Sequence, residues 1–323
     1  MKSLRQHTSL WLSLGVIVVM GAWPIITGNA LSRETMFTVL RSVALASSLN
    51  ILLGYTGYVS FGHVVFFGLG GYVGFYLIAV QGWSLWAALL AGGVAAGLLA
   101  YLVGAAILRL RGAYFALATI GINEAVRAFI NNFDPFGGPT GMTLNFKIYK
   151  LYGGPGAALQ LAFYVMIGLT LAVVLLSYWV RTSKFGLGLL AIREDEDAAE
   201  VMGVTAPAAK TWAFVLSAVI PGMIGAIFFF KNGTIEPGLA FPLHTSIEMI
   251  VMIMLGGQGT VLGPILGAAG YEALRDYLLV SPVFKNIQLA ISGILLLIIV
   301  LFIPRGAVGW VRQRYAKVRR WLI

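Results

Sequence analysis

Twelve carboxylates, three histidines and no cysteine make up the acid–base and metal-binding stock of this 323-residue chain. Without cysteine there are no disulfides, thiolate metal sites or thiol nucleophiles. His7, His63 and His244 fall in different segments with no H-x-x-x-H spacing, so no metal site is expected. The chain has no G-x-x-x-x-G-K-[ST] loop to cradle nucleotide phosphates and no G-x-S-x-G elbow to expose a serine. No catalytic residue is assigned, and an embedded enzyme ranks last among the readings for want of a convergent nucleophile and base. What stands out instead is a set of isolated ionisable residues in apolar text, Glu124, Arg127 and Glu248, and two glycine clusters, Gly54/Gly57/Gly62 and Gly256/Gly257/Gly259/Gly263.

The elements that hold these groups follow from composition. Hydrophobic residues make up 59% of the chain and charged ones 11%, against roughly 45–50% and about 25% in soluble domains. A soluble globule is excluded. A hydrocarbon core about 30 Å thick takes roughly 20 helical residues per crossing. Apolar runs near 9–27, 35–54, 64–80, 84–108, 157–180, 211–230 and 287–303 predict seven spans. The run 112–130 predicts another, shielded from lipid because it carries Asn123, Glu124 and Arg127. From 246 to 280 the text is interrupted by Gly256-Gly257-Gln258-Gly259 and by Gly263-Pro264, which predicts two shorter helices joined at a break. The expected fold is an all-α polytopic membrane bundle of about ten helices, some broken or short, forming one domain over 1–323.

Basic residues orient it, because they accumulate in cytoplasmic loops. With the N-terminus inside, the inner segments hold 14 of the 22 Lys and Arg: Lys2 and Arg5, Arg109 and Arg111, four in 181–210 and six in the basic tail 305–323. The outer loops hold only Arg33, Lys147, Lys150 and Lys231. Both termini are expected to be cytoplasmic, which requires an even number of crossings. The net charge of +10 is then an orientation signal and an attraction for anionic membrane lipid, not a nucleic-acid footprint. The first apolar run lacks a small-x-small cleavage pattern near Ala22-Trp23-Pro24 and is read as a helix, not a signal peptide.

Ionisable groups at membrane depth are costly, and mark either pairing or a solute path. Glu124 and Arg127 share a helix face and can pair. Glu248 has no basic residue one turn away, so it is expected to bond across helices, to stay protonated or to sit at the outer rim. The two glycine clusters each follow a leucine at the end of an apolar run, a faint internal repeat. Glycines at a helix break let backbone polar groups face a cavity, tolerated only where that backbone is buried in protein or wetted. Both breaks are expected near a translocation route, with close helix packing through small residues as the alternative. Ser47, Asn50, Gly54, Gly57, Ser60, His63, Thr119, Asn123, Glu248, Gly256, Gly257 and Gly259 are the candidate pathway residues, although serines and asparagine can equally bond neighbouring helices, and a histidine can simply be packed.

The segment 181–210 is the long polar connection, with five acidic and four basic residues. Glu194 to Asp197 supply carboxylates for a helix N-terminus, Ala198 to Met202 continue it and Gly203 can close it. Two turns are unstable alone in water, so either the underside of the bundle or a partner protein must hold them, with Leu189, Leu190 and Ile192 as apolar anchors.

The run Phe185-Gly186-Leu187-Gly188-Leu189-Leu190-Ala191-Ile192-Arg193-Glu194-Asp195-Glu196-Asp197-Ala198-Ala199-Glu200-Val201-Met202-Gly203-Val204 resembles the coupling loop of ABC-type branched-chain amino acid permeases, the LivM-like branch of the LivH/LivM family. Gly54-Tyr55-Thr56-Gly57-Tyr58-Val59-Ser60-Phe61-Gly62-His63, Arg111-Gly112-Ala113-Tyr114-Phe115-Ala116-Leu117-Ala118-Thr119 with Gly138-Pro139-Thr140-Gly141, and Leu255-Gly256-Gly257-Gln258-Gly259-Thr260 agree in order and spacing. The resemblance covers about 40 to 305. It implies a transport subunit without its own ATPase site, in a bacterial or archaeal inner membrane. A second, LivH-like permease, two cytoplasmic ABC ATPases and an extracytoplasmic solute-binding protein are the implied partners. No cofactor is expected in this chain, ATP and magnesium being held by the ATPase subunits. The coupling contact is placed by resemblance on Ala191, Ile192, Arg193, Glu194, Asp195, Asp197, Ala198, Ala199, Met202 and Gly203. The implied cargo is a branched-chain or related amino acid, with urea, short amides or small carboxylates as the alternative. An ion-coupled carrier shares the broken helices but has no need of a docked cytoplasmic helix.

Overall fold

A computed structural model describes residues 8–280, together with Gly293, Ile294, Gly306, Val308 and Gly309. Its α-helices up to residue 280 are α1 (Thr8–Thr27), α2 (Ala30–Thr56), α3 (Val64–Ala79), α4 (Leu85–Ile107), α5 (Ala113–Asn131), α6 (Lys147–Lys150), α7 (Pro155–Thr182), α8 (Lys184–Glu194), α9 (Glu196–Val201), α10 (Ala206–Asn232), α11 (Pro237–Ala240), α12 (Leu243–Gly256) and α13 (Leu262–Val280). The two strands, β1 (Met142–Thr143) and β2 (Thr234–Ile235), pair antiparallel with Met142 opposite Ile235. This is the expected all-α polytopic bundle. Helices α1, α2, α4, α5, α7, α10 and the stretch Pro237–Gly256 are long and apolar enough to span. Helix α3 has 16 residues, about 24 Å. The interruption read between 246 and 280 falls between α12 and α13. The expected span 287–303, the tail 305–323, and Lys2 and Arg5 lie outside the described residues.

Helix α2 runs through the centre, with 83% of its span buried in protein. Its polar residues Ser42, Ser47, Ser48 and Asn50 are all buried, which requires protein on every side. Helices α1, α7, α10, α12 and α13 supply it. Beside this centre, α3, α4 and α10 approach through glycine. A methyl group on Gly70 would stand 2.3 Å from the Gly222 Cα, and one on Gly222 would stand 2.6 Å from the Gly92 carbonyl oxygen. Without side chains the backbones come close enough for dispersion to replace the hydrophobic drive that lipid does not supply.

Helix α10 carries Pro221 inside it. A proline has no N–H, so the carbonyl four residues earlier, at Ser217, loses its helical donor. Two side chains replace it: Ser48 Oγ donates at 2.6 Å and His63 Nε2 at 3.0 Å. The proton of neutral His63 must therefore sit on Nε2, because a carbonyl can only accept.

Candidate functional site: a charged hairpin against two glycine breaks

Ser183 ends α7 in extended conformation and caps α8, its Oγ accepting from the Gly186 N–H at 3.1 Å. Helix α8 buries Gly186, Leu189 and Ile192. Asp195 then turns the chain and caps α9, its Oδ1 accepting from the N–H groups of Asp197 and Ala198 at 3.0 Å. Helix α9 thus begins among the carboxylates of Glu194 to Asp197, with Asp195 as the cap and Glu196 and Asp197 in the first turn. Gly203, at φ 90°, closes the hairpin.

Six residues cannot hold a helix by themselves. The bundle holds α9 from one side. Ala199 is buried, and Lys210, only 1% exposed, donates to Glu196 Oε1 at 2.7 Å and to Tyr58 Oη at 2.9 Å. Tyr58 Oη in turn donates to Glu196 Oε2 at 2.7 Å. Arg111, from the α4–α5 connection, bonds Asp197 Oδ1 at 2.7 Å and stands 3.7 Å from Glu196. Burial opposes ionisation of Glu196, but hydrogen bonds from Lys210 and Tyr58, and then the charges of Lys210 and Arg111, hold its carboxyl below the usual range. Asp197 is lowered by its hydrogen bond with Arg111 and then by the charge of that arginine. Burial first, then the bond to Glu196, raises Tyr58 above its ordinary value.

The opposite side is bare. Val201 and Met202, at the C-terminal end of α9, are 88% and 84% exposed. Of the predicted coupling residues, Ala191, Arg193, Glu194, Asp195, Asp197, Ala198, Met202 and Gly203 are exposed, while Ile192 and Ala199 face the bundle.

The two glycine breaks meet beneath this hairpin. Asn50 Oδ1 accepts from the Gly259 N–H at 3.0 Å, and its Nδ2 donates to the Thr260 carbonyl at 3.0 Å. Gln258 Nε2 donates to the Leu53 carbonyl at 2.8 Å. Arg193 Nη1 donates to the Gly54 carbonyl at 2.7 Å, and Arg181 Nη1 donates to the Gly259 carbonyl. Gly57 is exposed, and Gly256 and Gly257 are buried. A Cβ on Gly256 would overlap the Gly263 carbonyl.

The other pathway candidates are dispersed through the bundle. Thr119 Oγ1 accepts from the N–H groups of Phe61 at 3.1 Å and Gly62 at 3.4 Å, tying α5 to the first break. Asn123 Nδ2 donates to the Phe241 carbonyl at 3.2 Å. Among the described residues, Ser47 Oγ, Ser60 Oγ, His63 Nδ1 and Asn123 Oδ1 are buried without a hydrogen-bond partner. Glu124 and Arg127 pair at 3.6 Å, with both side chains partly exposed. Glu248 stands apart from the breaks, within electrostatic reach of Arg41 and Glu272. There Ser42 Oγ donates to Glu272 Oε1 at 2.5 Å, Arg275 lies 3.6 Å from Glu272, and the Arg41 guanidinium stacks 4.8 Å from the Phe228 ring.

The family model described as branched-chain amino acid transport system / permease component matches residues 34–300. The chain belongs to this family of ABC permeases. It is 27% identical to the high-affinity branched-chain amino acid transport system permease protein LivM of Escherichia coli (strain K12), over 93% of this chain and 75% of that one. A LivH permease protein of Salmonella typhimurium (strain LT2) is 27% identical over 43% of this chain and 44% of its own. The ribose import permease protein RbsC of Bacillus subtilis (strain 168) is 27% identical over 42% and 43%. No solved structure matches.

Three functional-site features of this permease escaped sequence reasoning. Lys210 counted as a loop charge but is buried, because Glu196 and Tyr58, 14 and 152 residues away, surround its ammonium. Arg193 is exposed as a residue, yet its guanidinium bonds the Gly54 carbonyl of a distant helix. Helix α8 carried a legible signal, the Ser183 cap before Leu189 and Ile192, but its glycines 186 and 188 weaken the helical pattern.

Proposed function

We propose that this permease subunit forms half of the transmembrane pathway of an ABC importer in a bacterial or archaeal inner membrane. A LivH-like permease supplies the other half, and an extracytoplasmic binding protein delivers the solute. Two cytoplasmic ATPase subunits bind ATP and magnesium and drive alternating access. The observation that carries this reading is the α8–α9 hairpin. It is pinned from behind by the Lys210–Glu196 pair and offers two bare apolar side chains, Val201 and Met202, at the C-terminal end of α9. Apolar side chains presented on a fixed support suit insertion into a groove of a partner. An ion-coupled carrier has no use for such a knob.

The cargo is a branched-chain or related amino acid. The near full-length likeness to a LivM protein supports this. Co-expression with ABC ATPase subunits and a LivH-like permease from the same organism tests the reading. The subunits should co-purify with the parent, and Met202→Asp, which puts a charge on an 84%-exposed position, should release the ATPases without unfolding the bundle. Amino-acid uptake by the purified chain alone in liposomes, driven by an ion gradient, would refute it.

A further inference from the structure

We propose that Arg193 and Arg181 are positioning residues that join the hairpin to a backbone gate formed where Gly54 meets Gly259. The inference rests on the hairpin being the part that meets the ATPase. Helix α2 ends at Thr56 with Gly57 in the left-handed conformation, φ 79°. The last four carbonyls of a helix lack intrahelical donors, and they carry the negative end of its dipole. Leu53 receives the Gly57 N–H and the Gln258 amide. Gly54 receives the Arg193 guanidinium. A cation from a different element therefore completes the end of the central helix.

The second break is held the same way, its Gly259 carbonyl bonded by Arg181. The two breaks touch through bare backbone. A Cβ on Gly54 would stand 2.9 Å from the Gly259 nitrogen, and one on Gly259 would stand 2.8 Å from the Gly54 carbonyl oxygen and 2.7 Å from Arg193 Nη1. The guanidinium thus occupies a notch that a side chain on Gly259 would fill, and a side chain on Gly54 would push the two breaks apart. Arg181 and Arg193 flank α8, one in the last turn of α7 and the other in the last turn of α8. A displacement of the hairpin moves Arg193 with α8 and, through the Ser183 junction, draws on Arg181 at the end of α7, so that it pulls on one carbonyl in each break. Both contacts are charge-assisted and partly exposed, strong enough to hold the closed contact and few enough to release together. Asn50, bonded to the N–H of Gly259 and the carbonyl of Thr260, sets the register to which the breaks return.

The test uses the complete complex of this permease, its partner permease, the ATPase subunits and the binding protein, reconstituted in proteoliposomes. Uptake per ATP hydrolysed, ATP hydrolysis and subunit composition are measured for the parent, R193A, R181A and R193K. We expect R181A, which lies outside the coupling contact, to keep its ATPase subunits and hydrolyse ATP within about twofold of the parent. Uptake per ATP should fall about tenfold in both R181A and R193A, the scale of one lost charged hydrogen bond. R193K, which keeps a donor and the charge, should recover much of that loss. A purely structural role would instead lower abundance and thermal midpoint with uptake per ATP unchanged. R193Q, which keeps most of the stem, replaces R193A should that variant fail to accumulate. Uptake per ATP within twofold of the parent in both arginine variants overturns the inference. So does loss of the ATPase subunits from R193A with the bundle intact, which would assign Arg193 to docking. Failure of the parent chain to bind ATPase subunits at all would instead remove the functional reading beneath it.

Discussion

Removing the Lys210 ammonium should loosen the hairpin without disturbing the bundle. Lys210 is 1% exposed and Glu196 13% exposed, with their charged atoms 2.7 Å apart. Breaking one side of a buried pair costs about 3–5 kcal/mol, chiefly because the other charge is stranded. Here Glu196 keeps the Tyr58 hydroxyl at 2.7 Å and has Arg111 3.7 Å away, so Lys210→Met should cost the hairpin about 2–3 kcal/mol. The methionine retains most of the stem volume, which separates the charge effect from a cavity. Local opening of α8 and α9 is read by amide hydrogen exchange. It should accelerate roughly 30- to 150-fold, while the amides of the buried half of α10 exchange as before. Glu196→Gln should produce a smaller change, and the double variant should cost less than the sum, giving a coupling energy of about 1–2 kcal/mol. If the hairpin amides of Lys210→Met speed up by less than threefold, or if the two changes simply add, the buried pair does not pin α9.

Gly222→Ala should destabilise the bundle by about 3 kcal/mol, since its methyl meets the Gly92 carbonyl and the Ala96 Cβ at 2.6 Å and backbone cannot yield as a side chain can. The thermal midpoint in detergent should drop, whereas Gly121→Ala, with nothing within 4 Å, leaves it in place; equal midpoints for the two would undo the close-packing account. The pH response of the hairpin follows from Glu196 and Asp197, both held below ordinary values of 4.5 and 3.8. A carboxylate lowered by folding stabilises above its unfolded pKa, and that contribution fades as pH falls through the folded value. Protection of α8–α9 amides, corrected for intrinsic exchange, should therefore be flat from pH 8 to about 5 and decline only below about 4.5. Loss of protection already at pH 6 would place the switch on another group.

The apolar runs, the broken pair at 246–280 and the short acidic helix near 196 could all be read directly from the residues. Each depends on what a segment does by itself. Roughly 20 apolar residues satisfy both the bilayer thickness and their own backbone hydrogen bonds. Gly257 and Gly259 take positive φ, a conformation glycine enters without a Cβ penalty and a helix cannot follow, and Asp195 caps a helix from within its own turn. The pairing of Glu124 with Arg127 was legible for the same reason, a spacing of three on one helix. The bond of Ser42 to Glu272 was not, because it joins α2 to α13 across 230 positions.

The sequence by itself determined a polytopic bundle, its polar connection and its family, since bilayer solvation acts on each helix locally and the motifs are contiguous. Only the tertiary structure decided that Lys210 is buried, that Ser48 and His63 replace the donor Pro221 lacks, and that Arg193 and Arg181 reach Gly54 and Gly259. Those outcomes depend on which carbonyls packing leaves without a donor and which side chains from distant segments arrive within hydrogen-bond distance of them.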